Sequence, residues 1–248
     1  KKFQPYSTMS SSSDDDSTQS LIDPPPLDKD ALQKLIGVKV NSVAVYQKAF
    51  THKSALKKYS LTESFETLEF IGDSVLGFVI TKWLFDRFES RQEGFLTKAR
   101  TKLVRGETLA RLATQLGLAD WILMDDKGIR NGWNRNPKVL EDVLEALIGA
   151  VYLDLGLVYA KQFVLDLFET RVDMACLHVD DNHKDQLMRW CQSKKYELPV
   201  YEILSHDAGV FTVTVTVNGV VSGVGSAKNK KQAEQHAAEQ CNKIHAPR

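Results

Sequence analysis

A change of hydrophobic period near residue 182 limits what this chain can fold into more than any other feature. Before it, apolar residues return at helical spacing, as in Leu32/Leu35/Ile36, Leu68/Ile71/Val75/Val79 and Leu144/Ile148/Val151, each set lying on one face of a 3.6-residue helix. After it, Phe211-Thr-Val-Thr-Val-Thr-Val217 alternates strictly. That puts Phe211, Val213, Val215 and Val217 on one face of a strand and the threonines on the other. Asn218-Gly219 follows as a hairpin signal. Leu187, Trp190 and Cys191 make an apolar helix face before the strands, and Ala233, Ala237, Cys241 and Ile244 make another after them. The predicted class is α+β: an all-α domain over 27–181, then a small α-β-β-β-α domain over 182–248 with strands near 200–205, 211–217 and 220–225. Residues 1–26 carry a Ser/Asp run and Pro24-Pro25-Pro26, too little apolar surface to offset ordering, and are read as a flexible tail. Asp180-Asp181 marks the join between the domains.

Charge decides less than it first suggests. The chain has 32 Lys+Arg against 32 Asp+Glu, and a zero sum argues against a polyanionic partner. By segment, however, residues 1–30 carry three basic and six acidic side chains, while 182–248 carry nine basic and six acidic. The zero is a cancellation, and any binding of a polyanion by the terminal module is expected to fall with rising salt. Three cysteines form no CxxC pair, which favours a reducing compartment. The longest apolar run is far short of a membrane span and no secretory signal is present. The expectation is a soluble intracellular protein with no membrane partner.

The chemistry concentrates in two helical segments. Glu66, Glu69 and Asp73 stand at i, i+3 and i+7, and Asp142 and Glu145 at i, i+3, so each set projects from one helix face. A lone helical Glu is usually just solvated. These acids instead sit among Phe, Leu, Ile, Val and Ala, where an unpaired charge is expensive. If the two stripes meet, they suit a hard divalent ion such as Mg²⁺, with Mn²⁺ as a substitute. Such an ion lowers the pKa of a water and stabilises charge on a phosphoryl oxygen, so phosphodiester hydrolysis is the natural reaction. Gly72 and Gly149 weaken their helices, for which close approach of helices or substrate is a physical reason. Lys138, one turn before Asp142, either neutralises the acids or faces solvent.

Glu66-Thr-Leu-Glu-Phe-Ile-Gly-Asp-Ser-Val-Leu76 closely resembles the signature of the ribonuclease III endonucleases, and Asp142-Val-Leu-Glu-Ala-Leu-Ile-Gly149 resembles their second acidic motif. Ala49-Phe-Thr-His-Lys-Ser54, Glu93-Gly-Phe-Leu-Thr-Lys-Ala-Arg100 and Gly149-Ala-Val-Tyr-Leu-Asp154 are similar to family segments in the same order. The resemblance implies Glu69, Asp73, Asp142 and Glu145 as Mg²⁺-coordinating catalytic acids. It implies Glu66 and Glu93 as acids flanking the cleft, and Phe70 as an aromatic that packs into the partner subunit of a homodimer.

The terminal module resembles a double-stranded RNA-binding domain, on Leu198-Pro-Val-Tyr201, the Phe211 strand and Gly225-Ser-Ala-Lys-Asn-Lys-Lys-Gln-Ala-Glu234. Such a domain reads A-form shape through 2′-hydroxyls and phosphates. Lys228, Lys230 and Lys231 fall where a helix N-terminus and lysines converge on a phosphate, and Arg189 on the preceding helix is a further phosphate contact. The module departs from the family between Tyr201 and Phe211, which is short and lacks the Gly-Pro-x-His pattern, and at Met188 and Arg189, where Gln and Glu are common. Lys98, Arg100, Lys102, Arg105 and Arg111 in the first domain read equally as an RNA-facing stripe or a solvated face.

The leading expectation is a Mg²⁺-dependent, homodimeric endoribonuclease cutting double-stranded RNA to 5′-phosphate and 3′-hydroxyl staggered ends. The alternative is a non-catalytic RNA-binding subunit of a ribosomal assembly, a mitochondrial one included, or of an RNA-processing assembly. A third reading, a helical hydrolase of small phosphates, sits poorly with the appended basic module.

Overall fold

The segments with helical spacing form helices that bury their apolar faces together. The computed structural model describes residues 5–6, 23–178 and 182–245, and the chain divides into two units between Leu177 and His178. The first unit contains helices α1 (Lys29–Ile36), α2 (Val43–Ala49), α3 (Ala55–Lys58), α4 (Glu66–Arg87), α5 (Glu93–Val104), α6 (Gly106–Gln115), α7 (Asp126–Arg130), α8 (Pro137–Leu155) and α9 (Leu157–Arg171). Asn136 starts α8 by accepting the Lys138 N–H at 2.9 Å, and Pro137 occupies the first turn, where its missing N–H costs nothing. From Val143 to Val151 every residue of α8 is buried, as a helix at the centre of a bundle must be. Helices α2, α4, α6 and α9 pack around it, α4 most extensively.

Two glycines set that pairing. A Cβ on Gly72 would overlap the Glu145 carbonyl, and one on Gly149 would overlap the Leu68 carbonyl. Helices α4 and α8 therefore meet backbone to backbone, which is the close approach expected from these residues. The basic stretch after Glu93 is not one helix: Arg105 is extended (φ −68°, ψ 146°) and separates α5 from α6.

Most of the expected tail, 1–4 and 7–22, and the Asp180-Asp181 join lie outside the described residues. Pro5 and Tyr6 are described, and they are anchored. The Pro5 carbonyl accepts the Asp28 N–H at 2.8 Å, Tyr6 bridges to Leu27, and the Tyr6 hydroxyl donates to the Trp121 carbonyl at 2.6 Å.

The second unit runs α10 (His183–Ser193), β1 (Val200–Asp207), β2 (Val210–Val217), β3 (Val220–Ala227) and α11 (Lys230–His245). The antiparallel sheet has the order β1-β2-β3. Val213, Val215 and Val217 are buried from β2, Leu187 and Cys191 from α10, and Ala233, Ala237, Ala238 and Cys241 from α11. Asn218 and Gly219, both at positive φ, close the predicted hairpin. Strand β1 runs two residues beyond expectation, since a two-residue turn at Ala208-Gly209 (φ 49° and 77°) lets pairing continue from Asp207 to Val210, and β3 also runs two residues longer because Ser226 and Ala227 pair with Thr212 and Phe211 of β2.

Candidate active site

Because α4 and α8 touch, their acidic faces converge. Glu69, Asp142 and Glu145 each bring a carboxylate oxygen within 4.8 Å of the others. An open pocket of about 360 Å³ lies over them, lined by Glu66, Glu69, Phe70, Asp73, Lys138, Glu141 and Glu145. Asp73 shares this pocket but stands outside the tight trio. Glu145 is 7% exposed. Burial pushes its carboxyl up to about 8, helped by the negative charges of Asp73, Glu141 and Glu69 and opposed by Lys138. Burial also raises Glu69, with Asp142 adding to it and Lys138 again opposing.

Lys138 is the counter-charge. Its Nζ lies 2.7 Å from Asp142 Oδ1 and 3.5 Å from Glu141 Oε1, and the Asp142 contact raises its own pKa. Asp142 Oδ1 is buried without an aligned hydrogen-bond donor, so its contact with Lys138 is an ion pair rather than a directional bond. Of the two roles open to Lys138 in the sequence, neutralisation is the one observed.

The arrangement fits a hard divalent cation. All of its donors are carboxylate oxygens, burial and then neighbouring negative charge disfavour ionisation of Glu145 and Glu69, and a buried oxygen lacks an aligned donor. Glu66 sits at the rim in the first turn of α4, where a carboxylate is favoured by the helix dipole. It accepts from Ser64 Oγ at 3.2 Å and pairs with Lys53 Nζ at 3.4 Å. Glu93 is not brought to this pocket; it accepts the Thr97 hydroxyl on its own helix at 2.6 Å. Phe70 flanks the acids with 80% of its surface exposed. Glu141 was not singled out from the sequence, although its place three after Lys138 and four before Glu145 puts it on their helix face. Its carboxylate packs over Gly106, where a Cβ would collide with it.

In the second unit Asn229 Oδ1 accepts the Gln232 N–H at 2.9 Å and caps α11. Lys228, Lys230 and Lys231 flank that helix end and are exposed, with Lys230 4.0 Å from Glu234. Arg189 projects from α10 and pairs with Asp185 at 3.0 Å. His206 lies opposite Phe211 across the β1/β2 ladder and stacks on its ring at 3.9 Å. Among the described residues no helix is long and apolar enough to cross a membrane.

Residues 43–171 match the family described as Ribonuclease-III-like, and 183–244 match the double-stranded RNA binding motif. Ribonuclease 3 of Legionella pneumophila (strain Corby) is 39% identical over 204 residues, covering 80% of this chain and 89% of that one. Protein A464R of Paramecium bursaria Chlorella virus 1 is 40% identical over 215 residues, covering 85% and 76%. The solved nuclease domain of ribonuclease III from Campylobacter jejuni, described for flexibility in a region involved in dimer formation, is 36% identical. It superposes with a TM-score of 0.55 over 58% of this chain and 99% of that one.

Proposed function

The chain belongs to the ribonuclease III family, metal-dependent endoribonucleases of double-stranded RNA, and from that premise we propose that its acidic pocket cleaves each strand with Mg²⁺ as the working ion. Mn²⁺ is the expected substitute. The observation that carries this reading is the convergence of Glu69, Asp142 and Glu145 from two helices onto one point. These three would hold the ion, with Asp73 completing the set from the next turn of α4. A divalent ion there supplies a more acidic water and positive charge for the phosphoryl oxygens, so that hydrolysis leaves a 5′-phosphate and a 3′-hydroxyl. Glu145, whose ionisation burial disfavours, would take part as its carboxylate, and Glu66 at the rim would position the substrate strand. Glu93 is read as a cleft acid from its motif alone.

Two copies would act together, giving staggered cuts. Phe70, Phe78 and Phe85 lie along one side of α4 at 80%, 58% and 62% exposure, an apolar strip that is costly to leave in water. Lys228, Lys230, Lys231 and Arg189 are the proposed phosphate contacts of the RNA module. These lysines surround a capped helix end, where N–H groups and ammonium charge both favour phosphate.

Glu145→Gln keeps the volume of the side chain and removes its charge. We expect cleavage of a labelled duplex in Mg²⁺ to fall by more than the roughly 10–100-fold that loss of an outer-shell partner costs. Duplex binding in EDTA should remain. A variant that cuts as fast as the parent would overturn the assignment.

A further inference from the structure

Lys138 does something that the metal reading alone does not require. Its ammonium lies against Asp142 at 2.7 Å and within 3.5 Å of Glu141, while its side chain keeps 64% of its surface in solvent. Asp142 and Glu141 are 14% and 20% exposed. The lysine thus reaches in from the surface and places one positive charge beside the acidic trio. Asp142 belongs both to that trio and to this ion pair, so a divalent ion and the ammonium make opposite demands on one carboxylate. Two cations cannot both be fully neutralised by it.

We propose that Lys138 is an internal counter-cation that holds the metal-free pocket together and that an incoming divalent ion must displace from Asp142, so that this lysine sets the metal affinity of the site. The inference rests on the metal reading given above. Several features of the pocket support it. The Lys138 stem is exposed and can swing outward without disturbing the packed core, whereas a buried counter-ion could not leave. Glu141 is held over Gly106 at the start of α6, so a second acid stays in place to receive the displaced ammonium. A pocket with four lining carboxylates besides Glu141 would otherwise repel itself whenever the ion is absent. Coupling between two bound cations is reciprocal: what Lys138 does to the ion, the ion does to the Lys138 contact.

The test uses the full chain stripped with EDTA, with Mg²⁺ and separately Mn²⁺ titrated in by calorimetry, for the parent, Lys138→Met and Lys138→Arg. Lys138→Met should bind either ion about tenfold more tightly, within the usual span of such couplings. Its metal-free form should melt below the parent, with the difference closing as metal saturates. Lys138→Arg keeps the charge and should bind like the parent. Equal or weaker binding by Lys138→Met, or an Arg variant that behaves like the Met variant, would overturn the proposal. A parent that binds neither ion would instead overturn the metal reading itself, so the two failures are distinguishable.

Discussion

At the scale of single residues, Glu145 is the group on which a metal bound in the acidic pocket would compete with a proton. Its carboxyl is raised from an ordinary 4.5 to about 8 in the folded metal-free chain, chiefly by burial. Between those values the folded state binds more proton than the unfolded state, so this group makes stability fall as pH rises through the window. Below it the penalty is absent, and above it the penalty is fully expressed. The EDTA-treated parent should therefore show a component of melting temperature that declines from about pH 5 to 8. Glu145→Gln should lack that component, and saturating Mg²⁺ should suppress it. A parent and variant with parallel profiles would contradict the assignment. The principal acids were legible beforehand because i, i+3 and i+7 spacing is a property of the helix alone. Glu141 was harder to single out, because its role depends on Gly106, which lies 35 positions earlier in the chain and only folding brings beneath it.

At the scale of elements, the contact between α4 and α8 carries the site. Gly72→Ala would drive a methyl group into the Glu145 carbonyl, and backbone offers no side chain to move aside. Overpacking of this kind costs about 1–3 kcal/mol or somewhat more. Urea unfolding should show that loss, and metal titration should show weakened binding as the two acidic faces part. Unchanged metal affinity would mean that the carboxylates do not depend on the helix spacing. Strand periodicity was read correctly in β2, where valine and threonine alternate. The end of β1 was not, since Ala208 takes a left-handed conformation that its residue type does not announce, and the end of β3 follows from its pairing with Phe211 and Thr212 of β2. The break at Arg105 likewise has no proline to mark it, and Gly106 alone is a weak breaker.

At the scale of the whole molecule, one copy of this chain leaves an apolar strip of α4 in water beside its own acidic pocket. If a second copy covers it, Phe70→Ala should shift a dimer toward monomer in sedimentation velocity without adding a charge to the acidic pocket that Phe70 lines. A variant that sediments like the parent would remove Phe70 from the interface. The same scale explains what composition concealed: a charge sum of zero hid an acidic pocket in the first unit and a basic second unit that matches the double-stranded RNA binding motif. It also explains Tyr6, an aromatic residue in a stretch whose composition signals no structure. Its partners, Leu27 and the Trp121 carbonyl, are remote in sequence, and no local pattern reveals them. Tyr6 is fastened to the first unit by contacts with Leu27 and with the carbonyl of Trp121, 115 positions away. The entropy of bringing two points of a chain together grows only as the logarithm of their separation, with each doubling costing about 0.6 kcal/mol. The number of residues between Tyr6 and Leu27 can therefore change, or a tag be inserted there, while the clasp stays shut.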